Sequence, residues 1–198
     1  MNKDIMICGV GGQGTVLASK IIAAAAMEAG NVVHSAETIG MAQRGGSVTS
    51  HVRIGEDAYS PLIPQGAAEM MLAFEPAEAV RNISYLKKDG IVVVNSVPTR
   101  PVTESLQETG YDGKEMITYL QSKCSCVVID AQKICEPFGS ARYFNIAILG
   151  VAVGTGKLGL TKEMILQEIE KRVPQRFIDT NKAAFLAGLK IGEAYEIK

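Results

Sequence analysis

Residues 8–14 read CGVGGQG, and no other stretch restricts the fold of this chain so much. Gly9, Gly11 and Gly14 keep the spacing G-x-G-x-x-G between a short apolar run and a long Ala-rich one. Lys3 to Cys8 reads as a buried strand. The turn at Gly9 to Gly14 then releases the chain into TVLASKIIAAAAMEAG, whose Ala, Leu and Ile content favours a helix ending at Gly30. Strand, glycine turn and helix in this order open a β-α-β unit. In such a unit the first glycine permits the tight turn and the second lets backbone approach a pyrophosphate. The third lets helix and strand pack closely.

The rhythm continues along the chain. NVVHSAET looks like a second strand, followed by IGMAQRGGS, a loop whose glycines at 40, 45 and 46 cannot continue regular structure cheaply. VTSHVRIG alternates well enough for a third strand. Past Pro61 and Pro64, AEMMLAF and GIVVVNS are short apolar runs typical of inner strands. Between them PAEAVRNISYLKK reads as a helix with proline in its first turn. Residues 97–112 have weak periodicity and two prolines, after which GKEMITYLQSK reads as a helix and CSCVVIDA as a strand. The remainder reads as helical. ARYFNIAILGVAVGTGKLG is apolar nearly all round and so predicts a buried helix. TKEMILQEIEKRV and PQRFIDTNKAAFLAGLKIGEAYE are amphipathic, with capping signals at Thr161 and Pro174. Strands alternating with helices predict an α/β fold, a three-layer α/β/α Rossmann-like domain over residues 1–198. Its sheet is expected to be mostly parallel or mixed and covered on both faces.

With 198 residues the chain can bury such a core without staples. Its 20 basic and 21 acidic side chains give a formal net charge of -1 without blocks of one sign, which predicts neither a nucleic-acid nor an anionic-membrane surface. Cys8, Cys124, Cys126 and Cys135 lack the C-x-x-C pairs that aim several thiolates at one metal, and they read as reduced thiols. No signal-peptide pattern opens the sequence and no segment reaches about 18 uninterrupted apolar residues, so a cytoplasmic location is expected.

The glycine turn admits two uses. A dedicated NAD or FAD site needs an acidic residue about 20 positions further on to hold a ribose hydroxyl. The chain offers His34 and Ser35 there, and Glu37 only somewhat later. The other use is a sharp turn at the carboxyl edge of the sheet that faces a partner or holds at most an anion. The second loop, ETIGMAQRGGS, should emerge at the same edge, so the two loops should be neighbours. Arg44 and Gln43 beside two glycines would suit a phosphate or carboxylate, against the plainer alternative of a solvated surface arginine. Exposed apolar residues in this loop predict that isolated protein self-associates as a homodimer. His34 and His51 read as structural histidines, since no Cys, Ser or Asp is placed to form a relay with them. Cys124 and Cys126 read as a buried thiol pair, and Met164, Ile165 and Ile169 as helix core. Lys157 in GTGKLG is no phosphate loop, because the glycine spacing is wrong and Leu158 stands where a magnesium-binding hydroxyl belongs.

Taken together, GVGGQG, ETIGMAQRGGSVTSHVRIG and ARYFNIAILGVAVG resemble the gamma-type subunit of 2-oxoacid:ferredoxin oxidoreductases. GMAQRGGS, residues 40–47, is most similar to the small (beta) subunit of the indolepyruvate enzymes. The resemblance implies a complex that oxidatively decarboxylates a 2-oxoacid with coenzyme A to an acyl-CoA, carbon dioxide and reduced ferredoxin. It also implies thiamine diphosphate, magnesium and 4Fe-4S clusters on a large (alpha) partner subunit, since this chain has neither a G-D-G followed by paired asparagines nor cluster-binding cysteines. CoA would be a co-substrate and ferredoxin a partner through the complex. No catalytic residue and no metal site is assigned to this chain. The loop residues expected to face the active site are Gly9, Gly11, Gly12, Gln13, Gly14, Gln43, Arg44, Gly45, Gly46 and Ser47. Two alternatives stand beside this: a stand-alone nucleotide-binding enzyme, NAD-dependent or E1-like adenylating, and a purely structural partner whose loops only dock.

Overall fold

Alternation along each strand decides which layer every side chain serves. In the computed structural model, described for residues 1–39, 45–99 and 110–195, six strands form one sheet: β1 (Lys3–Val10), β2 (Val33–Ile39), β3 (Ser47–Ile54), β4 (Ala68–Ala73), β5 (Leu86–Asn95) and β6 (Ser125–Ile129). Ile5, Ile7, Met70, Leu72 and Val93 face one side, while Met6, Cys8, Met71, Val92 and Val94 face the other. The first side carries α1 (Thr15–Glu28), α4 (Ala131–Cys135), α5 (Phe144–Gly154), α6 (Lys162–Arg172) and α7 (Ile178–Glu193). The second carries α2 (Pro76–Asn82) and α3 (Lys114–Lys123). The three-layer α/β architecture expected from the rhythm of the sequence is the one observed.

Strand order is β2-β3-β1-β4-β5-β6. The pairs from β1 through β6 are parallel, but β3 runs antiparallel to both β1 and β2. The sheet is therefore mixed, and β2 and β3 form a hairpin. Because two reversals cancel, β2 points the same way as β1 and its last residue, Ile39, lies at the carboxyl edge.

Three boundaries differ from the sequence reading. The helix expected over PAEAVRNISYLKK stops at Asn82, passes through a short 3-10 turn at Ile83–Tyr85, and gives up its last three residues to β5. A β-branched and an aromatic residue extend a helix poorly, and Tyr85 instead sets its ring edge-on to His51, with centroids 5.5 Å apart. The helix expected from Ala141 likewise opens with a 3-10 turn, Ala141–Tyr143, and ends at Gly154 before the left-handed Gly156. The short α4 follows Asp130, whose side chain caps it by accepting from the backbone N–H of Gln132 and Lys133.

α5 and α7 approach each other more closely than their amphipathic patterns predict. Gly150 and Gly154 on α5 face Gly188 and Gly192 on α7, and a Cβ on Gly150 or Gly188 would run into the carbonyl oxygen of Phe185 or Ala147 respectively. Thr161 caps α6 by accepting from the N–H of Met164, as the sequence predicts. Ile165 and Ile169 are fully buried, while Met164 lies at the margin of the core.

Candidate functional site

The turn after β1 is shaped by a glutamine as much as by its glycines. Gln13 accepts from the Val10 N–H through Oε1 (2.8 Å) and donates through Nε2 to the Phe74 carbonyl and the Thr99 hydroxyl, each at 3.0 Å. Its amide thereby ties the turn to the end of β4 and to the segment after β5. A Cβ on Gly9 would meet Gln13 Oε1 at 2.7 Å and Phe74 Cβ at 2.8 Å, so the first glycine makes room for this staple. Gly12 and Gly14 take left-handed φ values of 101° and 82°. The third glycine has a different task from the one expected. A Cβ on Gly14 would lie 2.6 Å from Asn145 Nδ2, so Gly14 admits a side chain of α5 rather than its own strand.

The two glycine loops do meet. The Gly11 N–H donates to the Gly46 carbonyl (2.8 Å) and the Gly45 N–H to the Gly11 carbonyl (3.2 Å). Ser47 begins β3 beside Val10, and its hydroxyl donates to Glu78 Oε2 at 2.6 Å. Gln43 and Arg44 lie outside the described residues.

Beneath this edge sit two buried carboxylates that the sequence reading missed. Glu75 and Glu78 are 2% and 1% exposed. Glu75 caps α2 by accepting from the Glu78 N–H (3.0 Å) and accepts the Tyr111 hydroxyl at 2.6 Å. Glu78 pairs with Arg81 through its other oxygen. A carboxylate directly before a helix-opening proline was the available signal for the cap. Burial, and then the hydrogen bond to Glu75, raise the Tyr111 hydroxyl above its ordinary range. Burial first, then the charges of Glu78 and Glu75, push the Cys8 thiol up as well. Burial also raises Cys124, takes Cys135 to about 11 and, with Cys124 beside it, takes Cys126 to about 12. Thiols raised in this way are protonated at neutral pH and poor nucleophiles; Cys124 and Cys126, expected as a buried pair, are only partly buried.

Between the carboxyl ends of β1 and β4, where the chain order switches sides, a crevice of about 460 Å³ is lined by Gly12, Gly14, Phe74, Asn95, Arg142 and Asn145. Asn95 holds its floor together: Oδ1 accepts from the N–H groups of Val97 and Ala131, and Nδ2 donates to the carbonyls of Phe74 and Val97. α1 and α5 both begin here, and exposed Arg142 stands at the rim. Two helix starts and the Arg142 guanidinium thus place positive charge at the crevice, while Glu75 and Glu78 have both oxygens of each carboxylate engaged and are not placed as general bases.

A dinucleotide would find the wrong neighbour. Because β3 lies between β1 and β2, Glu37 is two strand spacings, about 10 Å, from β1. Its carboxylate accepts from Ser19 on α1 at 3.2 Å. His51 is also remote in role: it is buried in the second layer, where its Nδ1 accepts the Ile63 N–H at 3.1 Å. His34 lies half-buried on β2, and Lys157 is exposed in the loop after α5. No described helix is long and apolar enough to cross a membrane.

Residues 4–191 match the family described as pyruvate ferredoxin/flavodoxin oxidoreductase. Among curated relatives, indolepyruvate oxidoreductase subunit IorB of Thermococcus kodakarensis is 38% identical over 190 residues, covering 94% of each chain. The IorB subunit of Archaeoglobus fulgidus is 39% identical over 194 residues, covering 97% of this chain and 94% of its own. Among solved structures, pyruvate oxidoreductase subunit PORC of Thermotoga maritima superposes with a TM-score of 0.69 at 28% identity, covering 96% of both chains. A 2-oxoglutarate:ferredoxin oxidoreductase from Magnetococcus marinus shares the fold with a TM-score of 0.75 at 19% identity, over 100% of this chain but 32% of that one.

Proposed function

Because this chain belongs to the pyruvate ferredoxin/flavodoxin oxidoreductase family, we propose that it is the small subunit of an indolepyruvate:ferredoxin oxidoreductase. In this reading its carboxyl edge docks on the large alpha subunit, beside the thiamine diphosphate. The observation that carries the docking face is the pair of backbone hydrogen bonds joining Gly11 to Gly45 and Gly46, which make one continuous edge of two loops distant in sequence.

The chain's own residues do not fit the redox groups of such an enzyme. Its four cysteines lie on β1, at the junction of α3 and β6, and on α4, and among the described residues no three His, Cys, Asp or Glu side chains are grouped to hold a metal, so they do not fit a 4Fe-4S cluster. Thiamine diphosphate, magnesium and the clusters accordingly belong to the partner, which supplies the decarboxylation and the electron path to ferredoxin. What this subunit contributes is a preorganised wall. Gln13 and Asn95 fix the turn and crevice to the ends of β4, β5 and β6, so the helix starts and Arg142 at this edge stand ready for an anionic part of the 2-oxoacid or of CoA.

Co-expression with the large subunit tests the proposal. The two chains are expected to co-purify and to reduce ferredoxin with indolepyruvate and CoA, with lower turnover on pyruvate. Separate elution of the chains, or full CoA-dependent turnover by the large subunit alone, would overturn it.

A further inference from the structure

Ser47 is exposed, yet its hydroxyl is held at 2.6 Å by a carboxylate that is 1% exposed. That contrast matters because of what precedes Ser47. Gly45 takes a left-handed φ of 75°, and Gly45 and Gly46 together lose more backbone freedom on ordering than any other pair would. Neither has a side chain to anchor it. Their fixed points are the two backbone hydrogen bonds to Gly11, the pairing of Ser47 with Val10 in the β1–β3 ladder, and the Ser47 hydroxyl.

Within α2 the Glu78 carboxylate pairs with Arg81 through one oxygen, which leaves the other for Ser47. The helix start is already capped by Glu75, and an acid in the first turn gains from the helix dipole whichever way it points. A buried carboxylate is costly unless its oxygens are bonded, and Glu78 meets that requirement with Arg81 on one oxygen and Ser47 on the other. A hydrogen bond to an ionised acceptor is about twice as strong as a neutral one, which suits a single side-chain anchor on a glycine pair.

We infer that Glu78 is a positioning residue for the docking edge, acting through Ser47 on Gly45 and Gly46 and through them on the Gly9–Gly14 turn. The inference rests on the proposed docking of that edge against the partner's reaction site. Glu78 touches no substrate in this role; it fixes where the edge stands.

The test uses the co-expressed complex with Ser47→Ala, Glu78→Gln, the double variant, and Ile169→Val as a core variant outside this network. Each single variant is expected to raise KM for the 2-oxoacid by roughly fivefold or more while kcat stays within about twofold. Glu78→Gln weakens the Ser47 bond and also loses the ion pair with Arg81, so the double variant is expected to fall short of the sum of the singles by the part that both share. Ile169→Val should lower Tm and leave KM alone. Should Glu78→Gln not fold, Glu78→Asp takes its place, because its shorter arm draws the carboxylate away from Ser47 while keeping the charge. Unchanged KM in Ser47→Ala with the complex intact would overturn the inference, as would an equal KM rise in Ile169→Val. Wild-type turnover measured alongside separates the two levels: if it is absent, the docking proposal falls and takes this inference with it. If it is present, only the positioning role is at stake.

Discussion

Gly14 joins two independent demands at one residue. Its φ of 82° costs a side-chain-bearing residue about 1–2 kcal/mol, and the space for a Cβ is already filled by Asn145. Gly14→Ala should therefore lower Tm in the isolated chain. The double variant Gly14→Ala/Asn145→Ala should recover the steric part and leave the backbone part, which thermal melts of both will separate. His51 gives a second residue-scale prediction. Burial lowers its pKa from 6.5 against the opposing charge of Asp4, and Nδ1 must stay unprotonated to accept from Ile63. The unfolded chain then takes up the proton first, so stability present above pH 6.5 is lost as pH falls toward the folded value, by at most about 1.4 kcal/mol per pH unit. His51→Asn, whose Oδ1 can replace Nδ1, should flatten that fall in denaturant titrations between pH 7 and 5. At this scale the sequence was partly legible. The glycines of the turn announced themselves through their spacing, and His51, read as structural, is buried and accepts from the Ile63 N–H. The roles of Gln13, Asn95, Glu75 and Glu78 were not readable, because each bonds across 21 residues or more in at least one contact or depends on burial that only tertiary packing creates.

Among the elements, α5 and α7 make the sharpest case. Their four facing glycines bring backbone against backbone, so Gly188→Ala would force a methyl into the Ala147 carbonyl, an obstacle that cannot rotate away. A destabilisation of about 3 kcal/mol, the upper end for overpacking, is expected and can be measured by urea unfolding. A chain in which Gly188→Ala melts like wild type would not have these helices in register. The sequence marked α5 as buried through its uninterrupted apolar run, yet Gly150 and Gly188 read there only as weak helix formers. What makes them necessary is each other, and that pairing spans helices far apart in sequence. Strands fared differently. Period-two alternation and short apolar runs located β1, β4 and β5, since burial on two faces is written locally. The direction of β3 was not written locally, because a strand's pattern is the same whichever way it runs.

At the level of the whole molecule, the mixed sheet sets what the chain can present. β1, β4, β5 and β6 bring their loops to one edge as parallel strands do, and β2 joins them by way of the reversed β3. The co-expression experiment probes this assembled edge, and Ser47→Ala probes one joint within it. The fold class was legible from alternating elements and the edge from the glycine turn. The crevice was not, for its walls come from Gly12, Phe74, Asn95 and Arg142, which no sequence window contains together.

The β2–β3 hairpin has a consequence for how such a chain can change over time. A βαβ crossover whose loop gains or loses residues must carry a helix with it, but a hairpin closes on itself. Here Ile39 pairs with Val48 on one side, and Gly11 and Glu78 clasp the return on the other. The five residues between Ile39 and Gly45 are bracketed by fixtures that do not depend on them. Lengthening such a loop adds only a few tenths of a kcal/mol of closure entropy per residue, roughly. The hairpin thus works as a cassette holder: its fixtures at Ile39–Val48, Gly11 and Glu78 lie outside those five residues, so substitutions among them leave the register of the sheet in place.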